Sequence, residues 1–90
     1  MMVTKFKIIG RENNRLQFEQ LPGYNGFPKN YESQLVGFAV QAMPSLGKDA
    51  IYGIIHDKEY GEFIPVCLMT GAELDAEQSL EDAIAAVETR

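Results

Sequence analysis

The two side chains best suited to covalent or metal chemistry are the only histidine and the only cysteine, His56 and Cys67, eleven positions apart. A cysteine nucleophile needs an imidazole within hydrogen-bond reach to take its proton. The elements that carry these residues decide whether that contact can form. Ala50 to Met69 reads AIYGIIHDKEYGEFIPVCLM. Its two runs of β-branched and aromatic residues around Asp57–Glu62 predict a hairpin with a loop of about six residues. With Glu62 closing the turn, His56 faces Phe63, Ile54 faces Pro65 and Tyr52 faces Cys67. The thiol and the imidazole are then about four residues apart along the ladder, or about 13 Å at about 3.3 Å per residue. They cannot share a proton in that register. Nor do one His and one Cys complete the usual four-ligand zinc set. The sequence has no phosphate loop, serine elbow or Walker-type glycine pattern. It therefore predicts no catalytic residue, no metal site and no cofactor.

What the hairpin offers instead is two unlike faces. Ile51, Gly53, Ile55, Ile64, Val66 and Leu68 form an aliphatic side suited to a core. Tyr52, Ile54, His56, Phe63, Pro65, Cys67 and Met69 form a mixed aromatic, soft and weakly polar side of the kind that lines ligand sites and interfaces. Tyr52, Ile54, His56, Phe63 and Cys67 are thus candidate ligand-binding residues. Tyr24 and Phe27 join them as candidates for a pocket rim, because Leu21–Asn30 (LPGYNGFPKN) concentrates Pro and Gly and must be a loop. The bland reading makes these two aromatics lids over the edge of the core, Cys67 a semi-buried small apolar residue and His56 a hydrogen-bonded turn residue beside Asp57.

Upstream, Thr4, Phe6 and Ile8 alternate with Lys5 and Lys7, and Leu16 and Phe18 alternate with Arg15, Gln17 and Glu19. Two half-buried strands joined through Gly10–Asn14 are expected. Tyr31, Leu35, Phe38 and Ala42 then recur at helical spacing, with Asn30 as N-cap and Pro44 as stop, which predicts the main helix at 31–43, packed on the aliphatic face. Asp75–Gln78 matches a capping box ahead of Leu80, Ile84 and Val87, which predicts a second, Ala-rich helix at about 75–88. The expected fold is α+β, a four-stranded antiparallel sheet in the order ββαββα. Ninety residues make one domain, 1–90, with the acidic C-terminal helix as its most peripheral part.

The net charge of −5 is unevenly spread. Seven basic and seven acidic side chains balance over residues 1–70. Residues 71–90 then hold Glu73, Asp75, Glu77, Glu81, Asp82 and Glu88 against Arg90 alone. Such a surface repels phosphates, so direct nucleic-acid binding is disfavoured. The bland reading of the tail is a solvated helix face; the functional one is an acidic dock for a basic partner, with Glu77, Glu81 and Asp82 as candidate contacts. The longest apolar run, Phe63 to Met69, is far short of the roughly 20 residues that span a bilayer, and Lys5 and Lys7 interrupt any apolar leader. One cysteine closes no internal disulfide. These features point to a cytoplasmic chain without a membrane segment. Its small size makes a homodimer a natural way to add stability.

The phrasing of Phe38–Asp57 (FAVQAMPSLGKDAIYGIIHD) and Gly61–Met69 (GEFIPVCLM), with Tyr52-Gly53 near the start of a strand and Gly61–Phe63 after an acidic turn, resembles the effector-binding family of gyrase-inhibitor-like proteins and AraC-type regulators. The resemblance covers about residues 4–70. It implies a β-α-β-β module, usually carried twice, with small molecules held in the groove between copies. Here a homodimer would rebuild that groove around Tyr52, Ile54, His56, Phe63 and Cys67. The chain departs from the family in having no acid between Phe63 and Met69 to meet a cationic ligand, and in its acidic final helix. Two non-catalytic functions follow as expectations: a dimeric effector-binding module for a small apolar or amphipathic ligand, or a protein-interaction or inhibitor module using the same face or the acidic helix.

Overall fold

A computed structural model of the chain describes residues 6–12, 15–20, 26–42 and 50–90, and for the first two segments the backbone alone. The first hairpin forms as its alternation implies. β1 (Phe6–Glu12) pairs antiparallel with β2 (Arg15–Gln20), with a register shift between Ile8 and Gly10.

The larger sheet is built around β4 (Ala50–Asp57), hydrogen-bonded to β3 (Leu35–Gln41) on one edge and to β5 (Glu62–Cys67) on the other. Both ladders are antiparallel. The β4–β5 register is the one its residues imply: Tyr52 opposite Cys67, Ile54 opposite Pro65, His56 opposite Phe63. The turn is closed by the Asp57 carboxylate, which accepts the Glu59 N–H at 3.0 Å, and by Gly61 at φ 65°, where a side chain would be strained.

The four-stranded ββαββα arrangement is not what forms. The sheet around β4 has three strands, and β1–β2 form a ladder of their own. The helix expected at 31–43 is replaced by a short 3-10 helix, Lys29–Gln34, followed directly by β3. The reason lies in β4, whose residues 50–55 are all buried. A strand covered on both faces and paired on only one edge would leave its other row of N–H and C=O groups unsatisfied. Leu35–Gln41, with Val36, Phe38 and Val40, satisfies that row as a strand and could not do so as a helix. A bulge between Leu35 and Gly37 puts the two most buried residues of β3, Leu35 and Ala39, four positions apart on opposite faces, which in sequence imitates a helical stripe.

The C-terminal helix is also shorter than the expected 75–88. α1 spans Leu80–Glu88, capped by the Ser79 hydroxyl, which accepts the Asp82 N–H at 3.0 Å. The residues before it are extended, because they serve the outer edge of β5. Cys67 N–H donates to the Ala72 carbonyl (2.8 Å), Leu74 N–H to the Pro65 carbonyl (2.9 Å), and Phe63 and Glu77 exchange both bonds (2.9 and 2.8 Å). Pro65 points its missing donor at this outer edge, where it interrupts no β4–β5 bond.

Two apolar layers result, one on each face of the sheet. Phe27, Leu35, Ile51, Ile55, Val66 and Leu68 form the first. Ala39, Ala50, Tyr52, Ile54, Cys67, Ala83 and Val87 form the second, flanked by Val36, Phe63, Leu74, Leu80 and Ile84.

Candidate functional site

The aliphatic and mixed faces of the hairpin are both used, and what covers each is now defined. Over the aliphatic face lies the 26–34 segment. Phe27, 4% exposed, sits inside that layer and meets Tyr31 edge-on, ring centres 6.3 Å apart. Its backbone is pinned by the Gly26 N–H, which donates to the Leu68 carbonyl at 2.7 Å, and a Cβ at position 26 would collide with the Met69 backbone. Phe27 is thus core, whereas Tyr24 lies outside the described residues.

Over the mixed face lies α1. Ala83 and Val87 are fully buried against the sheet, and beneath the helix Tyr52, Ile54 and Cys67 retain 7%, 0% and 5% exposure. This follows from side-chain size. An Ala-rich stripe lets a helix approach a sheet closely, and Gly37 on β3 leaves room for Leu80, whose Cδ1 lies 3.3 Å from where a Cβ would stand. The face proposed for a ligand is closed by the chain's own C-terminus.

His56 and Phe63 lie beyond the helix on the same face. Their rings are stacked, 4.4 Å between centres and 3° from parallel, and both are half-buried. Cross-strand aromatic pairs of this kind stabilise a sheet. The geometry makes the pair a structural clasp at the end of the hairpin, and it leaves His56 well away from Cys67, as their ladder positions require.

The carboxylates show a different pattern. Asp57 and Glu62 are directly opposite each other at the end of the β4–β5 ladder, an arrangement of like charges that costs stability. Glu77 adjoins Phe63 through its paired backbone bonds, and Glu81 and Asp82 occupy the exposed first turn of α1, where the helix N-terminus favours them. Among the described residues none of these five acids has an ion-pair partner. Among the described residues the side chain–side chain hydrogen bond here is that of the Tyr31 hydroxyl, which donates to Glu73 Oε2 at 2.9 Å and is held above the usual phenol range by that bond, then by desolvation and the nearby charge of Glu73 and Asp57. In the turn between Asp57 and Glu62, Tyr60 is 70% exposed, the one large hydrophobic side chain left in solvent among the described residues. The sequence pattern singles out Glu77, Glu81 and Asp82 as candidate partner contacts, whereas the exposure of Tyr60 is signalled there only by an aromatic residue inside a charged turn.

Among the described residues no group of three or more His, Cys, Asp or Glu side chains is placed to hold a metal ion, and no helix is long and apolar enough to cross a membrane. No family model, curated protein or solved structure matches the chain.

Proposed function

We propose that this chain is a non-catalytic protein-interaction module that docks a basic segment of a partner protein on the acidic end of the molecule. The surface comprises the hairpin tip, with Tyr60 in the turn that holds Asp57, Glu59 and Glu62, together with Glu77, bridged to Phe63 next to Glu62, and Glu81 and Asp82 in the first turn of α1. The observation that carries this reading is Tyr60, exposed to 70% beside carboxylates that have no ion-pair partner among the described residues. Interfaces concentrate their energy on Tyr, Trp and Arg anchors, and Tyr60 is the large hydrophobic side chain that the described residues leave exposed. Unpaired acids around such an anchor add attraction and orientation toward a cationic partner. The effector-groove reading draws less support, since α1 covers the face it needs.

The test is fluorescence anisotropy with labelled Lys/Arg-rich peptides and a matched acidic set. A basic peptide is expected to bind, to weaken with salt, to lose binding in the Glu77→Lys, Glu81→Lys, Asp82→Lys triple variant, and to weaken by about tenfold in Tyr60→Ala, the factor that corresponds to about 1.4 kcal/mol at an anchor residue. Equal binding of acidic and basic peptides, or unchanged affinity in both variants, would overturn the reading.

A further inference from the structure

We propose that residues 72–90 form a charge-strained lid, which opens as one unit about the Thr70–Gly71 turn and uncovers the Tyr52–Ile54–Cys67 face and the outer edge of β5 together. Four observations converge on this. The lid's backbone attachment is a set of separated bonds from residues 72, 74 and 77 to β5, and the row is broken at Pro65, which supplies no N–H. Its helix has nine residues, short of what is stable in water alone, and only Ala83 and Val87 on it are fully buried. Its connection to the sheet is a turn whose last residue, Gly71, sits at φ 80°, with the Thr70 hydroxyl accepting the Ala72 N–H at 3.2 Å.

The fourth observation is electrostatic. The lid carries Glu73, Asp75, Glu77, Glu81, Asp82 and Glu88 against Arg90, and it docks beside a hairpin tip carrying Asp57, Glu59 and Glu62 against Lys58. No ion pair joins the two among the described residues. Glu88, in the last turn of α1, also opposes the helix dipole. Like charges thus push the lid away from the hairpin tip, against its apolar stripe, its backbone bonds to β5 and the Tyr31–Glu73 hydrogen bond. Salt weakens the push more than the apolar contact, so the lid closes more tightly as ionic strength rises. A polycation bound to the lid acts in the same direction and holds it shut.

Cys67 reports the opening directly, because its thiol is covered by this segment. The experiment measures alkylation of Cys67 in the intact chain across a urea series and between about 0.01 M and about 1 M sodium chloride, where the screening length falls from about 30 Å to about 3 Å. Global unfolding is followed by circular dichroism in the same samples. Labelling is expected to exceed the rate that global unfolding permits by at least tenfold, to depend only shallowly on urea, and to slow severalfold at high salt relative to the change in global stability. Ser79→Ala, which uncaps α1, is expected to speed it about fivefold. Labelling that follows global unfolding with the same urea slope, or that salt leaves unchanged or accelerates, would overturn the proposal. Neither result bears on whether a basic peptide binds the acidic end, which the anisotropy measurement decides separately.

Discussion

A single methyl group at position 53 tests whether the cover of the aliphatic face leaves any slack. A Cβ built on Gly53 lies 2.8 Å from Leu35 Cδ1, 2.9 Å from Phe27 Cε1 and 3.4 Å from Leu68 Cδ2. Ordinary carbon contacts are about 3.5–4.0 Å, so the first two side chains must each withdraw by about 0.6–1.2 Å. They have little room to do so, since Leu35 and Leu68 are fully buried and Phe27 is 4% exposed. Overpacking costs about 1–3 kcal/mol, and two contacts under 3.0 Å against buried side chains put this site in its upper part, at about 2–3 kcal/mol. The lower backbone entropy of alanine in the unfolded chain offsets about 0.4–1 kcal/mol of that. Gly53→Ala is therefore expected to destabilise the fold by about 1–2 kcal/mol. With a urea slope of about 1 kcal/mol/M for so small a chain, the unfolding midpoint falls by about 1–2 M while the slope stays constant. In a Leu35→Ala background the clash with Leu35 disappears, and the two changes are expected to couple by about 1 kcal/mol. A Gly53→Ala protein as stable as its parent, or strict additivity with Leu35→Ala, would refute the packing described for this face.

Gly71→Ala places a side chain at φ 80° and within 2.8 Å of the Gly26 carbonyl oxygen, so thermal unfolding is expected to show a loss of about 2 kcal/mol. Phe63→Ala removes the stacked partner of His56 and a half-buried ring, and a loss of about 3 kcal/mol is expected in urea titration, of which about 0.5–1.5 kcal/mol is the ring pairing and disappears in a double-mutant cycle with His56→Ala. Tyr31 is raised in the folded state because its hydroxyl must stay protonated to donate to Glu73. Its contribution is complete below the ordinary phenol range near pH 10 and is lost as pH rises through the raised value. An alkaline stability titration should show that loss in the parent chain and a flatter profile in Tyr31→Phe. Val87→Ala is expected to cost about 2 kcal/mol by calorimetry and to increase Cys67 labelling, since Val87 is fully buried against the same layer as Cys67.

The β4–β5 hairpin was legible residue by residue, because alternation and a polar turn are local signals and a pairing register follows from where the turn closes. The same local reading separated the aliphatic face from the mixed one and removed His56 and Cys67 as a reacting pair. Residues 35–41 were not legible in this way. Their burial, with a bulge between two deeply buried positions, satisfies a helical spacing as well as a strand, and the choice was made by a neighbour, since β4 needed hydrogen-bond partners on a second edge. The extended path of 72–77 has the same origin: the free donors of β5 outcompeted the capping box that would have started the helix at Asp75, and Ser79 became the cap instead.

The candidate site divides along the same line. Which residues share the face of Tyr52, Ile54 and Cys67 was determined by sequence, since side chains alternate along any strand. Whether that face is open was decided by tertiary structure, because a helix docks wherever its apolar stripe finds complementary surface, and α1 found it there. With that face closed, Tyr60 is the large hydrophobic side chain left exposed among the described residues, in a turn whose carboxylates have no ion-pair partner there. A residue's type is a local property, whereas its exposure depends on every segment folded against it.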